Sequence, residues 1–141
     1  MVNHQVLTKS RLKIEENSKK IVLVICDGVG SAGASMLANE VAKKTSKEGK
    51  RRALIYVVSP LGRPEYFEVA RNVIQENIGL SMSIRYYGPE PKDLIELIEK
   101  LGNPDVLVAG LCSDFIQALD EVGYENVTII YPKGVSSDGC A

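Results

Sequence analysis

The sequence predicts an α/β domain built on a doubly wound, parallel, five-stranded sheet in the order 3-2-1-4-5, a Rossmann-like arrangement. Three observations carry that expectation. Short apolar runs rich in β-branched residues alternate with stretches whose apolar residues recur every three or four positions. The runs at 21–26, 53–58 and 106–109 are continuously apolar, as strands covered on both faces are, whereas 80–87 alternates and suits an edge. Glycines follow the first and fourth runs, the two strands between which such a sheet reverses its order.

Taken in order, residues 1–19 are polar and weakly patterned and read as an N-terminal arm in preference to a short strand that exchanges with a partner chain; the segment holds His4, the single histidine. A lone histidine there argues against histidine-based triads and histidine-rich metal sites. The first strand, Ile21 to Cys26, is followed by Asp27 and by Gly28, Gly30 and Gly33 in G-x-G-x-x-G spacing, with Ser31 among them. Ala34, Leu37, Ala38, Val41 and Ala42 then mark one helical face, and Gly49 stops the helix. Ala53 to Val58 is the second strand, and Pro64 opens a helix with Tyr66, Val69, Ala70 and Val73 inward. Phe67, Ile74 and Ile78 are expected to widen that stripe.

Leu80 to Tyr87 is the edge strand, and Gly88 to Pro91 turns the chain. Leu94, Leu97, Ile98 and Leu101 give the third helix, stopped by Gly102 and Pro104. Val106 to Ala109 is the fourth strand. After Gly110, Leu111 and Cys112, Ser113 is expected to cap the last helix, and Asp114 to favour its positive end. Val127 to Tyr131 is the fifth strand, closed by Pro132, and 133–141 form a flexible tail. Residues 20–132 thus make a single domain, within the ~100–200 residues typical of one.

Bulk properties exclude several function classes. A net charge of −1 gives no pull towards nucleic acid or an anionic membrane. No apolar run approaches the ~20 residues that span a bilayer, and the N-terminus lacks a signal-peptide core. Cys26, Cys112 and Cys140 are odd in number and widely spaced, so no disulfide framework is expected and a cytoplasmic location is. Six basic residues between Lys43 and Arg52 read as a solvated helix end. Asp138-Gly139-Cys140 matches a short zinc-binding triplet without that pattern's other cysteines, so no metal site is expected.

The 3-2-1-4-5 order brings two turns to one crevice, Asp27 to Ala34 and Gly110 to Asp114. A strand feeding a helix through glycines aims backbone N–H groups and the positive helix end at one point, where anions bind. Two readings of Gly28, Gly30 and Gly33 stand side by side: an anion or nucleotide site, and a tight turn that packs against the sheet. A nicotinamide cofactor would want an acid closing the second strand, where Val57, Val58 and Ser59 stand instead. Asp27 suits either a local cap or a base amine or ribose hydroxyl. Cys112 precedes a helix start, a place where thiols can become nucleophiles. The cysteine-phosphatase loop, however, needs arginine six positions on, and Ala32 and Ala118 stand there after Cys26 and Cys112. Cys112 is therefore expected to be buried and inert.

These residues resemble the universal stress protein family over roughly 20–132. The likeness rests on Asp27-Gly28 ending the first strand, on the end of the second strand near Val58, and on Arg85 to Gly110, which looks like that family's third strand, G-x-P turn, helix and fourth strand. The resemblance implies an adenine-nucleotide-binding fold that dimerises, often through its fifth strand, with ATP or AMP as ligand. It also implies that Asp27 contacts adenine and ribose and that the Val58 backbone contacts adenine. One departure stands out. ATP-binding members follow strand four with a longer glycine loop that cradles the triphosphate; here Gly110, Leu111, Cys112, Ser113 and Asp114 lead straight into the helix. The expected function is a small, non-catalytic, homodimeric nucleotide- or anion-binding protein, with Asp27, Gly28, Gly30, Ser31, Gly33, Val58, Gly110, Cys112 and Ser113 at its site. The alternatives are an interaction protein with a vestigial pocket, and a Rossmann-like protein that senses or cleaves cyclic oligoadenylate.

Overall fold

The structure, a computed structural model, describes residues 18–130. Nine elements alternate along them: β1 (Ser18–Ile25), α1 (Gly30–Lys47), β2 (Arg52–Val58), α2 (Arg63–Glu76), β3 (Ser81–Gly88), α3 (Pro91–Leu101), β4 (Asp105–Ala109), α4 (Ser113–Glu121) and β5 (Val127–Ile130). The five strands form one sheet in the order β3-β2-β1-β4-β5, with every neighbouring pair parallel. This is the doubly wound, Rossmann-like order expected from the sequence. His4, residues 1–17 of the arm, Tyr131, Pro132, the tail and Cys140 lie outside the described residues.

The alternation of side chains along a strand divides the core in two. Ile21, Leu23 and Ile25 of β1 join Leu37, Val41, Ile55, Val57, Tyr66 and Val73 beneath α1 and α2. Val22, Val24 and Cys26 point the other way, to Leu94, Leu97, Phe115 and Leu119 of α3 and α4. All of β1 from Ile21 to Ile25 is fully buried, which explains its unbroken apolar run.

Three expectations at element boundaries need correction. Ser18 and Lys19 belong to β1 and not to an arm, because Lys19 is held there by charge: its Nζ pairs with Asp105 and lies 2.5 Å from Glu48 Oε1, while Lys44 Nζ lies 3.7 Å from Asp105 Oδ1. Burial pulls the Lys19 pKa down, but the hydrogen bonds that its ammonium donates to Asp105 and Glu48 outweigh it and hold the group above its ordinary value. The stripe on α2 is narrower than expected. Tyr66, Ala70 and Val73 are buried, but Phe67 and Ile74 face solvent and Ile78, beyond the helix, is 91% exposed. Ser113 is the first residue of α4 rather than its cap; Cys112 holds the cap position and offers no side-chain hydrogen bond. The edge strand β3 behaves as expected at Ser81, Ser83 and Arg85, which are exposed. Its register with β2 slips between Val57 and Val58, passing over Tyr87.

Candidate functional site

Both glycine turns stand at the carboxyl end of the sheet, on the neighbouring strands β1 and β4, as the topology requires. They do not leave an open hollow between them. The Leu111 N–H donates to the Asp27 carbonyl over 2.9 Å, and the Cys26 N–H donates to the Ala109 carbonyl over 2.9 Å. Gly110 adopts φ +93°, and a Cβ there would lie 2.6 Å from the Asp27 oxygen and 2.7 Å from the Cys26 oxygen. Only glycine permits this approach. The Leu111 side chain lies beside Gly28 while remaining 66% exposed.

A covalent bond completes the closure. Cys26 and Cys112 form a disulfide that joins positions 86 residues apart, with Cα atoms 5.6 Å apart. This corrects the expectations that no disulfide forms and that Cys112 is an inert thiol. Burial was read correctly, since each cysteine is 3% exposed, but Cys112 is half of a bonded pair and not a free nucleophile. The ground for placing the chain in a reducing compartment goes with it.

The first turn of α1 is the part of the site that faces solvent. Asp27, Gly28, Gly30 and Ser31 are exposed. Val29 occupies the cap position without a side-chain hydrogen bond, and the first turn holds no acidic residue. The leading N–H groups of a helix have no intrahelical acceptors, so this turn presents donors and the positive dipole end. Gly28 at φ +87° and Gly30 at φ +67° bend the chain into it. Gly33 has another task. It is buried, and a Cβ there would lie 2.8 Å from Val29 Cγ1, so its bareness lets Val29 tuck into the core.

Val58 is fully buried, with its backbone in the ladder opposite Val24 and Gly88. Ser113 is exposed beside the bonded Cys112. Thus Asp27, Gly28, Gly30 and Ser31 share one exposed turn, Gly110 and Cys112 are packed against its base, and Gly33 and Val58 lie in the interior.

Two residues of this end were missed in the sequence. One is Leu111, beside Gly28. The other is Ser59, which is fully buried; its Oγ donates to the Ile25 carbonyl at 2.5 Å and accepts from the Leu61 N–H at 3.2 Å. The Ser59 N–H donates to the Gly88 carbonyl, and the Ser59 carbonyl accepts from the Tyr86 hydroxyl, whose ring stacks on Tyr66. Ser59 therefore fastens the ends of β1, β2 and β3 together. A serine between a buried strand and a proline was its available signal. Depressions of 440 Å³ (Asn103, Val122 to Asn126) and 240 Å³ (Ser18 to Lys20, Glu48, Lys50, Leu101, Asn103, Pro104) include no candidate residue. Among the described residues, no helix is long and apolar enough to cross a membrane, and no cluster of three or more His, Cys, Asp or Glu is placed to hold a metal ion.

No family model matches the chain, and no curated protein matches it. Among solved structures, it is similar to a hypothetical protein from Sulfolobus tokodaii at 15% identity, with 84% of this chain and 99% of that chain covered and a TM-score of 0.49.

Proposed function

We propose that this protein is a small, non-catalytic, homodimeric ligand-binding protein of universal stress type, which takes an anionic ligand on the first turn of α1. The observation that supports the reading is that turn itself: uncapped, free of acidic residues, exposed, and placed where the strand order reverses. A nucleotide monophosphate suits it best. Its phosphate meets the N–H groups at Gly30 and Ser31, and Asp27 accepts from a ribose hydroxyl or base amine. The turn at Gly110 lies directly on Asp27 and leaves no second cradle for a triphosphate, so AMP should bind better than ATP.

Calorimetric titration with inorganic phosphate, AMP, ADP, ATP and cyclic nucleotides tests this. AMP and phosphate are expected to bind, and Ser31→Glu to weaken both by about tenfold or more while leaving the fold intact, because an acid in a first turn suits the helix but repels an anion. Flat traces for every ligand would remove the proposal. Light scattering tests the dimer.

One observation favours a second reading. The turn at Gly110 lies on Asp27, and the apolar side chain of Leu111 faces solvent. A protein that acts through its surface, with a vestigial pocket, would look the same, and flat titrations with an intact dimer would point to it.

A further inference from the structure

We infer that Cys26 and Cys112 form a thiol–disulfide switch that latches the turn 110–112 across the crevice, and that reduction releases the turn. The consequence for binding rests on the ligand site proposed above; the latch itself rests on the cysteines and their neighbours alone.

The two cysteines sit in unequal surroundings. Cys26 lies at the end of the central strand, its N–H bonded to Ala109, in one layer with the fully buried Val22 and Val24. That side has no freedom to give. Cys112 stands outside the sheet, at the uncapped start of α4, behind the exposed Leu111. Three ties hold the turn to β1: the disulfide, the hydrogen bond from Leu111 to the Asp27 carbonyl, and the Leu111 side chain against Gly28. Breaking the covalent tie leaves one hydrogen bond at a solvent-facing edge and one apolar contact from the two-thirds-exposed Leu111, both weak holds in water, besides the packing of the Cys112 thiol in the core layer. Two thiols also need more room in a packed layer than one bonded pair. The movement falls on the turn, with Gly110 as its pivot, while Phe115 and Leu119 keep α4 in the core.

The chemistry needs a dithiol reductant. One of its thiolates attacks a sulfur of the pair and forms a mixed disulfide; its second thiol closes on the first and leaves. Two electrons and two protons pass to the protein, giving two cysteine thiols, and the reductant departs as a cyclic disulfide. With both cysteines 3% exposed, attack waits on local opening at Leu111.

The test uses the full chain carrying Cys140→Ser, so that the pair supplies every thiol, with dithiothreitol as reductant. Amide hydrogen exchange is read at Leu111 and along the β1–β4 ladder. Reduction is expected to speed exchange at Leu111 by about tenfold or more through a local opening that low urea leaves unaffected, while exchange at Val22 to Val24 and Val108 speeds only as global stability falls and stays urea-dependent. Cys112→Ser, which puts a good capping residue at the start of α4, should show the same pattern under oxidising conditions and serves if the reduced protein unfolds. Unchanged exchange at Leu111, as when a reduced Cys112 stays seated on the Ala109 carbonyl 3.1 Å from its sulfur, overturns the switch. Exchange at Leu111 that is as urea-dependent as that at Val22 to Val24, in both the reduced protein and the variant, overturns it too. AMP titration is run in both redox states. Binding about tenfold tighter on reduction supports latch and site together. Faster Leu111 exchange with no AMP binding in either state keeps the latch and removes the proposed ligand.

Discussion

The Leu111 N–H donates to the Asp27 carbonyl over 2.9 Å, which binds the turn after β4 to the turn after β1. The turns at the carboxyl ends of β1 and β4 are therefore tied to each other, although they come from opposite ends of the domain. The bare Cα of Gly110 makes this possible, because a methyl group there would run into the Asp27 and Cys26 oxygens.

Gly110→Ala should therefore be costly, at about 3 kcal/mol or more from the left-handed backbone and the steric clash together. Gly30→Ala shares the left-handed φ but has open space around its Cβ, so about 1 kcal/mol is expected. Urea unfolding of the two variants gives the comparison, and equal losses would mean that the Gly110 contact has no weight.

Reducing Cys26–Cys112 should lower stability by about 4–5 kcal/mol on the chain-entropy relation, given a separation of 86 residues. The melting temperature should fall on the order of 10 °C. Calorimetry with and without reductant reads this directly.

At the other end of the sheet, Asp105→Asn should cost about 3 kcal/mol, because it strips Lys19 of a mostly buried partner. Lys92→Ala breaks an exposed, solvent-screened pair with Glu90 and should leave stability nearly unchanged. Chemical denaturation of both variants tests whether burial decides the difference.

The fold should also weaken in alkali. Burial, then the nearby Asp105, raises the Tyr124 pKa, and burial, then Tyr66, raises that of Tyr86, both from 10.0; Lys19 is raised from 10.5. In each case the folded state favours the protonated form, so its contribution is full below the unfolded pKa and is lost as pH climbs through the folded one. Melting temperature should fall above about pH 10. Tyrosinate absorbance should show two tyrosines titrating late, one of which disappears in Tyr124→Phe.

Much of this architecture could be read in the residues. The unbroken run from Ile21 to Cys26 announces a central strand, because a strand buried on both faces has no place for a polar side chain. The alternation from Leu80 to Tyr86 announces an edge for the opposite reason. Lys19 resisted reading because its burial depends on Asp105, 86 positions away, and nothing local marks it. Phe67, Ile74 and Ile78 misled because apolar character says that a residue tolerates burial, not that a neighbour exists to bury it. At the candidate site, glycine spacing and topology located the two turns. Their closure was not legible, since it depends on a leucine next to a glycine and on two cysteines whose pairing no spacing rule predicts.

The slip at Tyr87 has a consequence for how far the sheet can extend. β3 takes one residue more than β2 between Tyr86, which stacks on Tyr66, and Gly88, so that Tyr87, whose ring lies against Lys100, has no partner on β2. An incoming strand laid along that margin would lose its hydrogen-bond rhythm near the end and meet the exposed Arg85 on the way. Lateral growth is thus discouraged at β3, which leaves the β5 side as the margin where strand-to-strand association between copies should be sought.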